Sequence, residues 1–251
     1  MDKKNKNIED SVNLSDSIVA TVIRGATNRI FTHVDTENPT DSEKINKLFE
    51  QYLNNYNEDL LGYIVKEVKK FNNRLYDKSG LFYRGLSVYN KSNIVGNKIG
   101  PPLKPRSNRY NDETELALYL IDAKEFLPQE INSRKILLQR YEIPIDEIKI
   151  ADISPENENI SNNLSILFDI CESGITPTGL NIKNCLKVIG KSEYFISQFI
   201  AKRFKNIGWD GLYIPGVHGS KDQHYHNLCI FYPALTNWDM WVLGDYEQIE
   251  L

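Results

Sequence analysis

The spacing of apolar residues changes near residue 80, and this change limits the folds open to the chain. Between Ile45 and Phe71, apolar residues recur at helical spacing, directly after the capping-box sequence Thr40-Asp-Ser-Glu43. This pattern predicts one long amphipathic helix, or two helices joined near 54–57. From residue 81 onward, apolar residues fall instead in short strand-like runs at 81–88, 116–121, 136–143, 148–153, 212–215 and 228–232. The combination predicts an α+β fold.

Three parts of the chain follow from this pattern: an N-terminal helical region at 1–79, a main domain at 80–233 and a tail at 234–251. Within the main domain, helical patterns are predicted at 122–131, 164–171 and 192–206. The acidic tail is expected to pack on the body through Trp238 and Trp241. The apolar stripe of the N-terminal region must also be buried, either on the core sheet or in a homo-oligomer interface.

The charge and composition of the chain limit the kinds of partner that we expect it to bind. The net charge of −4 argues against a nucleic-acid partner, which usually requires a basic face. The three cysteines are widely spaced among apolar residues, which is typical of free thiols in a reducing compartment. Neither an apolar segment after the N-terminus nor a run of about 20 apolar residues is present, so we expect a cytoplasmic protein without a membrane partner.

The residues suited to chemistry lie mostly between 81 and 131. Arg84 is in a predicted strand, and Arg109 ends a loop rich in Gly, Pro and Lys, with Arg106 as its rival. A guanidinium is a planar fork that suits a pyrophosphate, although an arginine on a strand also points outward into solvent in many proteins. Glu130 ends a predicted helix, where it is either a surface residue or a carboxylate able to stabilise an oxocarbenium-like transition state.

Taken in order, these motifs resemble the RES domain, a bacterial family of NAD-consuming toxins named for its Arg, Glu and Ser. The similarity covers roughly 80–233. The matching positions are Arg84, Arg109-Tyr110-Asn111, Tyr119-Leu120, Glu130-Ile131, Gly208-Trp-Asp-Gly211 with Ile214-Pro215, and Asn227-Leu-Cys-Ile-Phe231. The resemblance implies an ADP-ribosyltransferase-like core of two small, mostly antiparallel sheets with a cleft between them.

The resemblance also implies a function and a site. NAD⁺ would be the substrate and no cofactor would be needed; a cognate antitoxin and a role in growth arrest or phage defence are further expectations. The acceptor of ADP-ribose, whether water, phosphate or a protein side chain, stays open. The implied catalytic residues are Glu130, Arg84 and Ser220. The implied NAD⁺ contacts are Arg84, Gly85, Arg109, Tyr110, Tyr119 and Asn227, with Tyr119 either stacking on nicotinamide or filling the core.

The chain departs from the family pattern at the third namesake residue, because Gly216 stands where the family has Ser. We expect Ser220 or Asn227 to take that role if the loop at 216–226 folds back. The departure favours the alternative of an inactive module that binds a nucleotide or a partner protein. An RNA-directed toxin is a third and weaker reading.

Two further sequence patterns bear on whether the chain binds a metal or uses NAD⁺ as a hydride carrier. His218, His224 and His226 resemble a metal cluster, but no cysteine or carboxylate set completes a site with typical zinc spacing, so no metal is expected. No GxGxxG motif follows a predicted strand, so NAD⁺ as a hydride carrier is unsupported.

Overall fold

A computed structural model describes residues 39–75, 80–90, 93–154, 156–157, 160–216 and 225–250. Its α-helices are α1 (Asp41–Asn55), α2 (Asp59–Lys70), α3 (Leu127–Ile131), α4 (Asn162–Ser173), α5 (Ile182–Val188) and α6 (Phe195–Asn206). Its strands are β1 (Leu81–Ser87), β2 (Ile94–Val95), β3 (Lys98–Ile99), β4 (Ala117–Ile121), β5 (Lys135–Glu142), β6 (Ile150–Asp152), β7 (Gly211–Pro215), β8 (His226–Phe231) and β9 (Val242–Glu250). Two 3₁₀ segments, Lys124–Phe126 and Ala234–Trp241, complete these elements.

The α+β class predicted from the sequence is confirmed, but the expected pair of small sheets is wrong. The described strands form one seven-stranded sheet in the order β6-β7-β8-β4-β1-β5-β9, with β2 and β3 as a separate two-stranded sheet. All pairs in the large sheet are antiparallel except β6 with β7. One sheet results because β4, which pairs with β8 along its whole length, also touches β1.

The contact between β1 and β4 is narrow. Within the described residues these strands pair only at Tyr83 and Ile121, whereas β1 pairs with β5 along all seven of its residues. The sheet is therefore continuous in hydrogen bonding but weakly joined at its centre. Side chains from the two strands can line a space there instead of completing a ladder.

Helices α1 and α2 belong to the same hydrophobic core as helices from the middle of the chain. Thr40 and Glu43 form the predicted capping box, and α1 ends at Tyr56, whose φ of 55° turns the chain into α2. Buried residues of α1, α2, α4 and α6 pack together on one face of the sheet, among them Ile45, Phe49, Ile64, Val68, Leu167, Ile200 and Phe204. The same cluster contains Leu212 and Ile214 of β7. The apolar stripe of the N-terminal helices is thus buried within the chain itself.

The C-terminal residues extend the sheet. Trp241 is buried in the core on the other sheet face, and the Trp238 ring lies against Gly100. The chain then forms the edge strand β9 on β5, which the sequence did not predict. None of the helices in the described ranges is both long and apolar enough to cross a lipid bilayer.

If α1 is part of the common core, Phe49→Ala should lower the free energy of unfolding by about 3–5 kcal/mol, because Phe49 is fully buried. The neighbouring Lys47 is exposed, so Lys47→Ala should change stability by no more than about 0.5 kcal/mol. Denaturant unfolding followed by circular dichroism and tryptophan fluorescence measures both. An earlier, separate transition of the helices would show instead that α1 is an appendage.

Candidate active site

A cavity of about 510 Å³ lies beside the single pair that joins β1 and β4. Its volume falls within the range of about 300–1,000 Å³ that is usual for small-molecule sites. Every residue predicted for the site within the described part of the chain lines this cavity: Arg84, Gly85, Arg109, Tyr110, Tyr119, Glu130 and Asn227. Arg106, the rival of Arg109, lines it as well. Ser220 lies outside the described residues.

Arg84 is a buried cation in the middle of β1. Its side chain is 8% exposed, and its Nη1 donates to the Tyr119 carbonyl oxygen at 3.2 Å. Its Nε has no hydrogen-bond partner among the described residues, and no described carboxylate forms an ion pair with it. Burial lowers the pKa of the Arg84 guanidinium below its usual range. Such a charge is costly unless something anionic reaches it.

Gly85 lets the helix that carries Glu130 lie close to β1. A Cβ atom at this position would lie 2.2 Å from Cδ1 of Ile131 and 3.2 Å from Cδ2 of Leu127, both in α3. The sequence had suggested that this glycine admits the ligand. In the structure, the side chains of Leu127 and Ile131 occupy the space next to Gly85. The close packing of α3 on β1 therefore explains why this position is glycine.

Glu130 projects from α3 and has an exposed side chain, but two neutral donors fix its carboxylate. The hydroxyl of Tyr225 donates to Glu130 Oε1, and Nδ2 of Asn227 donates to the same oxygen at 3.2 Å. The second oxygen, Oε2, has no partner within the described ranges. The carboxylate is therefore held in place while one of its oxygens is available to a ligand.

The loop that carries Arg109 is fastened to α6. The hydroxyl of Ser197 donates to the Arg109 carbonyl oxygen at 2.5 Å, and Nε2 of Gln198 donates to the carbonyl oxygens of Asn108 and Asn111 at 2.7 and 3.1 Å. Because its backbone is held at three points, this loop can present its arginine side chains to the cavity from a stable base.

Tyr119 is anchored through its hydroxyl as well as lining the cavity. The hydroxyl donates to Asn111 Oδ1 at 2.9 Å and accepts from the Tyr110 backbone N–H at 3.1 Å. Burial raises the pKa of Tyr110 and Tyr119 well above the usual tyrosine value. Both hydroxyls are therefore protonated, and the Tyr119 hydroxyl joins the wall of the cavity to the Arg109 loop.

Sequence reasoning missed Glu172, which lies behind the wall of the cavity. The Tyr110 hydroxyl donates to Glu172 Oε1 at 3.4 Å. Burial raises the pKa of Glu172 to about 7, Arg109 opposes this shift, and Asp169 adds to it. In the sequence it is one acidic residue near the end of an apolar helix, and nothing in that pattern marks it.

His226 belongs to a different cluster from the one suggested by the sequence. Its Nδ1 lies 3.1 Å from Asp122 Oδ2 and its Nε2 lies 3.0 Å from Glu156 Oε2, and its ring stacks on Tyr213. The pKa of His226 is raised because the attraction of these carboxylates outweighs burial, which acts in the opposite direction and is the largest single effect. His218 and His224 lie outside the described residues.

The similarity of this chain to known proteins is weak. No family model matches the chain, and no curated protein matches it. Among solved structures, the chain is similar to one in the crystal structure of the M. tuberculosis MbcT–MbcA toxin–antitoxin complex. The two chains are 12% identical with a TM-score of 0.42, over 74% of this chain and 92% of the other. A likeness at this level does not define an activity, because activity resides in the site.

The raised pKa of Glu172 predicts that ionisation of this residue lowers the stability of the fold as pH rises. The folded pKa exceeds the unfolded value, so the contribution of Glu172 to stability is present below about pH 4.5 and is lost as pH rises through about 7. Glu172→Gln should therefore gain stability relative to wild type between pH 5 and pH 8, by about 1–3 kcal/mol, since one unit of pKa shift corresponds to about 1.4 kcal/mol.

Urea unfolding of both proteins at the two pH values measures this gain. Glu113→Gln is a suitable control because Glu113 is exposed. A stability difference between Glu172→Gln and wild type that does not change with pH would contradict the assignment.

Proposed function

We propose that the cavity binds NAD⁺ and that the protein cleaves the bond between nicotinamide and ribose. One observation carries this proposal: a buried arginine without a described carboxylate partner and a carboxylate held by neutral donors line the same cavity. The pair matches the two chemical demands of the reaction. The pyrophosphate of NAD⁺ requires cations, and the ribose that loses nicotinamide requires a nearby negative charge.

Binding is supported by the electrostatics of Arg84. A pyrophosphate would supply the anionic partner that the guanidinium lacks, in a place from which water is largely excluded. Arg106 and Arg109 line the same cavity and would add charge from the anchored loop. The rings of Tyr83 and Tyr194 also line it and offer flat surfaces to the two bases of the dinucleotide.

The chemistry is supported by the position of Glu130. The glycosidic bond breaks with its electron pair leaving on the nicotinamide nitrogen, which loses its positive charge as C1′ of the ribose becomes cation-like. The Glu130 carboxylate stabilises that developing charge, and its Oε2 can accept a hydrogen bond from a ribose hydroxyl. A nucleophile then forms a bond to C1′ and gives up a proton.

The acceptor decides the biological outcome. With water, the products are nicotinamide, ADP-ribose and a proton, and the cell loses NAD⁺. With a protein side chain, the product is a mono-ADP-ribosylated target, and with phosphate it is ADP-ribose 1″-phosphate. We propose a growth-arresting toxin, in a toxin–antitoxin pair or in phage defence, kept silent by an antitoxin that covers the cavity. This role is supported by the sequence resemblance to the RES family.

The alternative is an inactive module that only binds a nucleotide or a partner protein. Gly216 favours it, because the residue removes the hydroxyl expected at that position. The enzyme and a nucleotide-binding module both predict binding of NAD⁺, and a module for a partner protein does not. Only the enzyme predicts the release of nicotinamide.

Glu130→Gln preserves the size of the side chain, and its amide oxygen can still accept from Tyr225 and Asn227. The substitution removes the negative charge and turns the second acceptor into a donor. The kcat of nicotinamide release should fall by about 10²–10³, while the KM for NAD⁺ stays within a few-fold of wild type, because the charge acts in the transition state. The control is Glu125→Gln, which changes an exposed carboxylate just before the same helix and should leave both constants unchanged. Wild-type kcat in Glu130→Gln would refute the role of this carboxylate.

Arg84→Met separates a binding role from a structural one. The substitution keeps most of the volume and removes a buried, incompletely paired charge, so the free energy of unfolding should stay equal or rise. NAD⁺ binding should weaken about 10- to 100-fold, which corresponds to about 1.5–3 kcal/mol for hydrogen bonds to a charged group. Calorimetric titration and denaturant unfolding measure the two effects, with the exposed Arg134→Met as control. A large loss of stability with unchanged binding would make Arg84 a structural residue.

A further inference from the structure

Tyr225 occupies the space that a side chain at position 216 would need. A Cβ atom on Gly216 would lie 2.1 Å from Cε2 and Cζ of the Tyr225 ring, far inside van der Waals contact. The Gly216 backbone N–H also donates to the Tyr225 carbonyl oxygen at 2.8 Å, so the two residues cannot easily move apart. The absence of a side chain at 216 is therefore matched to the presence of this ring.

The Tyr225 ring is also fixed by a stacked aromatic neighbour. It stacks on Phe126 with ring centroids 4.3 Å apart and an interplanar angle of 16°, and only 2% of the residue is exposed. Because it packs against both Phe126 and Gly216 and is almost fully buried, the ring has little freedom, so the position of its hydroxyl is set by packing. That hydroxyl donates to Glu130 Oε1.

Glu130 needs the contact with Tyr225 because the short helix α3 does not by itself hold the carboxylate in one position. Helix α3 has five residues and ends at Asn132, whose φ is 52°. A carboxylate on so short an element must be held by tertiary contacts if it is to stand in one place. Tyr225, just before β8, and Asn227, in β8, supply those contacts to the same oxygen and leave Oε2 open.

We propose that Tyr225 is a positioning residue for Glu130, and that position 216 is glycine because this tyrosine fills it. On this proposal, which rests on the proposed function, the hydroxyl missing at 216 is replaced by one that enters from Tyr225 and acts through Glu130. Gly216 is then a sign of a rearranged site and not of a lost one. From the sequence, we expected Ser220 or Asn227 to supply the replacement. Asn227 shares the contact with Glu130, and Ser220 lies outside the described residues.

The hydroxyl is tested with Tyr225→Phe, which keeps the stacked ring. The kcat of nicotinamide release should fall about 10-fold or more while the KM for NAD⁺ is unchanged, because Glu130 keeps its charge but loses its fixed position. The matched control is Tyr213→Phe, since Tyr213 is also fully buried and its hydroxyl donates to a carboxylate, Asp122, at 2.6 Å outside the cavity. Tyr213→Phe should lower the unfolding midpoint without lowering kcat. Equal kcat values for Tyr225→Phe and wild type would overturn the proposal.

The packing is tested without NAD⁺. Gly216→Ala should lower the unfolding midpoint strongly in the wild-type background, because the new methyl group collides with the ring. In a Tyr225→Ala background the same substitution should have little effect, since the space is empty. Equal shifts in the two backgrounds would overturn the pairing of Gly216 with Tyr225. A wild type that releases no nicotinamide would contradict the proposed function, and the unfolding cycle would still decide whether the two residues are paired.

Discussion

The buried guanidinium of Arg84 is the constraint on which the rest of the site depends. It lies on a central strand, next to the point where β1 and β4 are joined by a single residue pair, and its described contact there is a neutral carbonyl oxygen. A cation in this position is stabilised only weakly by the protein itself. The surrounding elements build the cavity that Arg84 lines: α3 packs against Gly85, and α6 fastens the Arg109 loop.

The cation and the carboxylate of the cavity are kept from neutralising each other. Glu130 is held by Tyr225 and Asn227, and Arg84 by the Tyr119 carbonyl oxygen, so within the described residues each charge meets only neutral partners. A direct ion pair between them would satisfy both groups and leave nothing for a ligand. Their separate neutral contacts fit a substrate with an anionic centre and a sugar that becomes positive during the reaction.

Local sequence patterns predicted helices α1 and α2 well, but they did not predict contacts between residues that are far apart in the sequence. Helical periodicity and the Thr40 capping box gave α1 and α2, because both signals act within a few residues. Strand β9 was not predicted because most of its residues are exposed. Its sequence therefore lacks the alternation of apolar and polar residues that is typical of a half-buried strand. The ordered motifs led to seven residues that line one cavity. Glu172 and Tyr225 were not found, because their importance arises from contacts 62 and 95 residues away along the chain.

The central claim is tested most directly by incubating the purified protein with NAD⁺ and quantifying free nicotinamide and ADP-ribose by chromatography. We expect nicotinamide to be released catalytically, many molecules per molecule of protein. Where a side chain is the acceptor, we expect nicotinamide in a fixed ratio to the modified protein target. Binding of NAD⁺ without any release of nicotinamide, alone or in the presence of candidate acceptor proteins, would contradict the proposed cleavage and leave the cavity as a nucleotide-binding site.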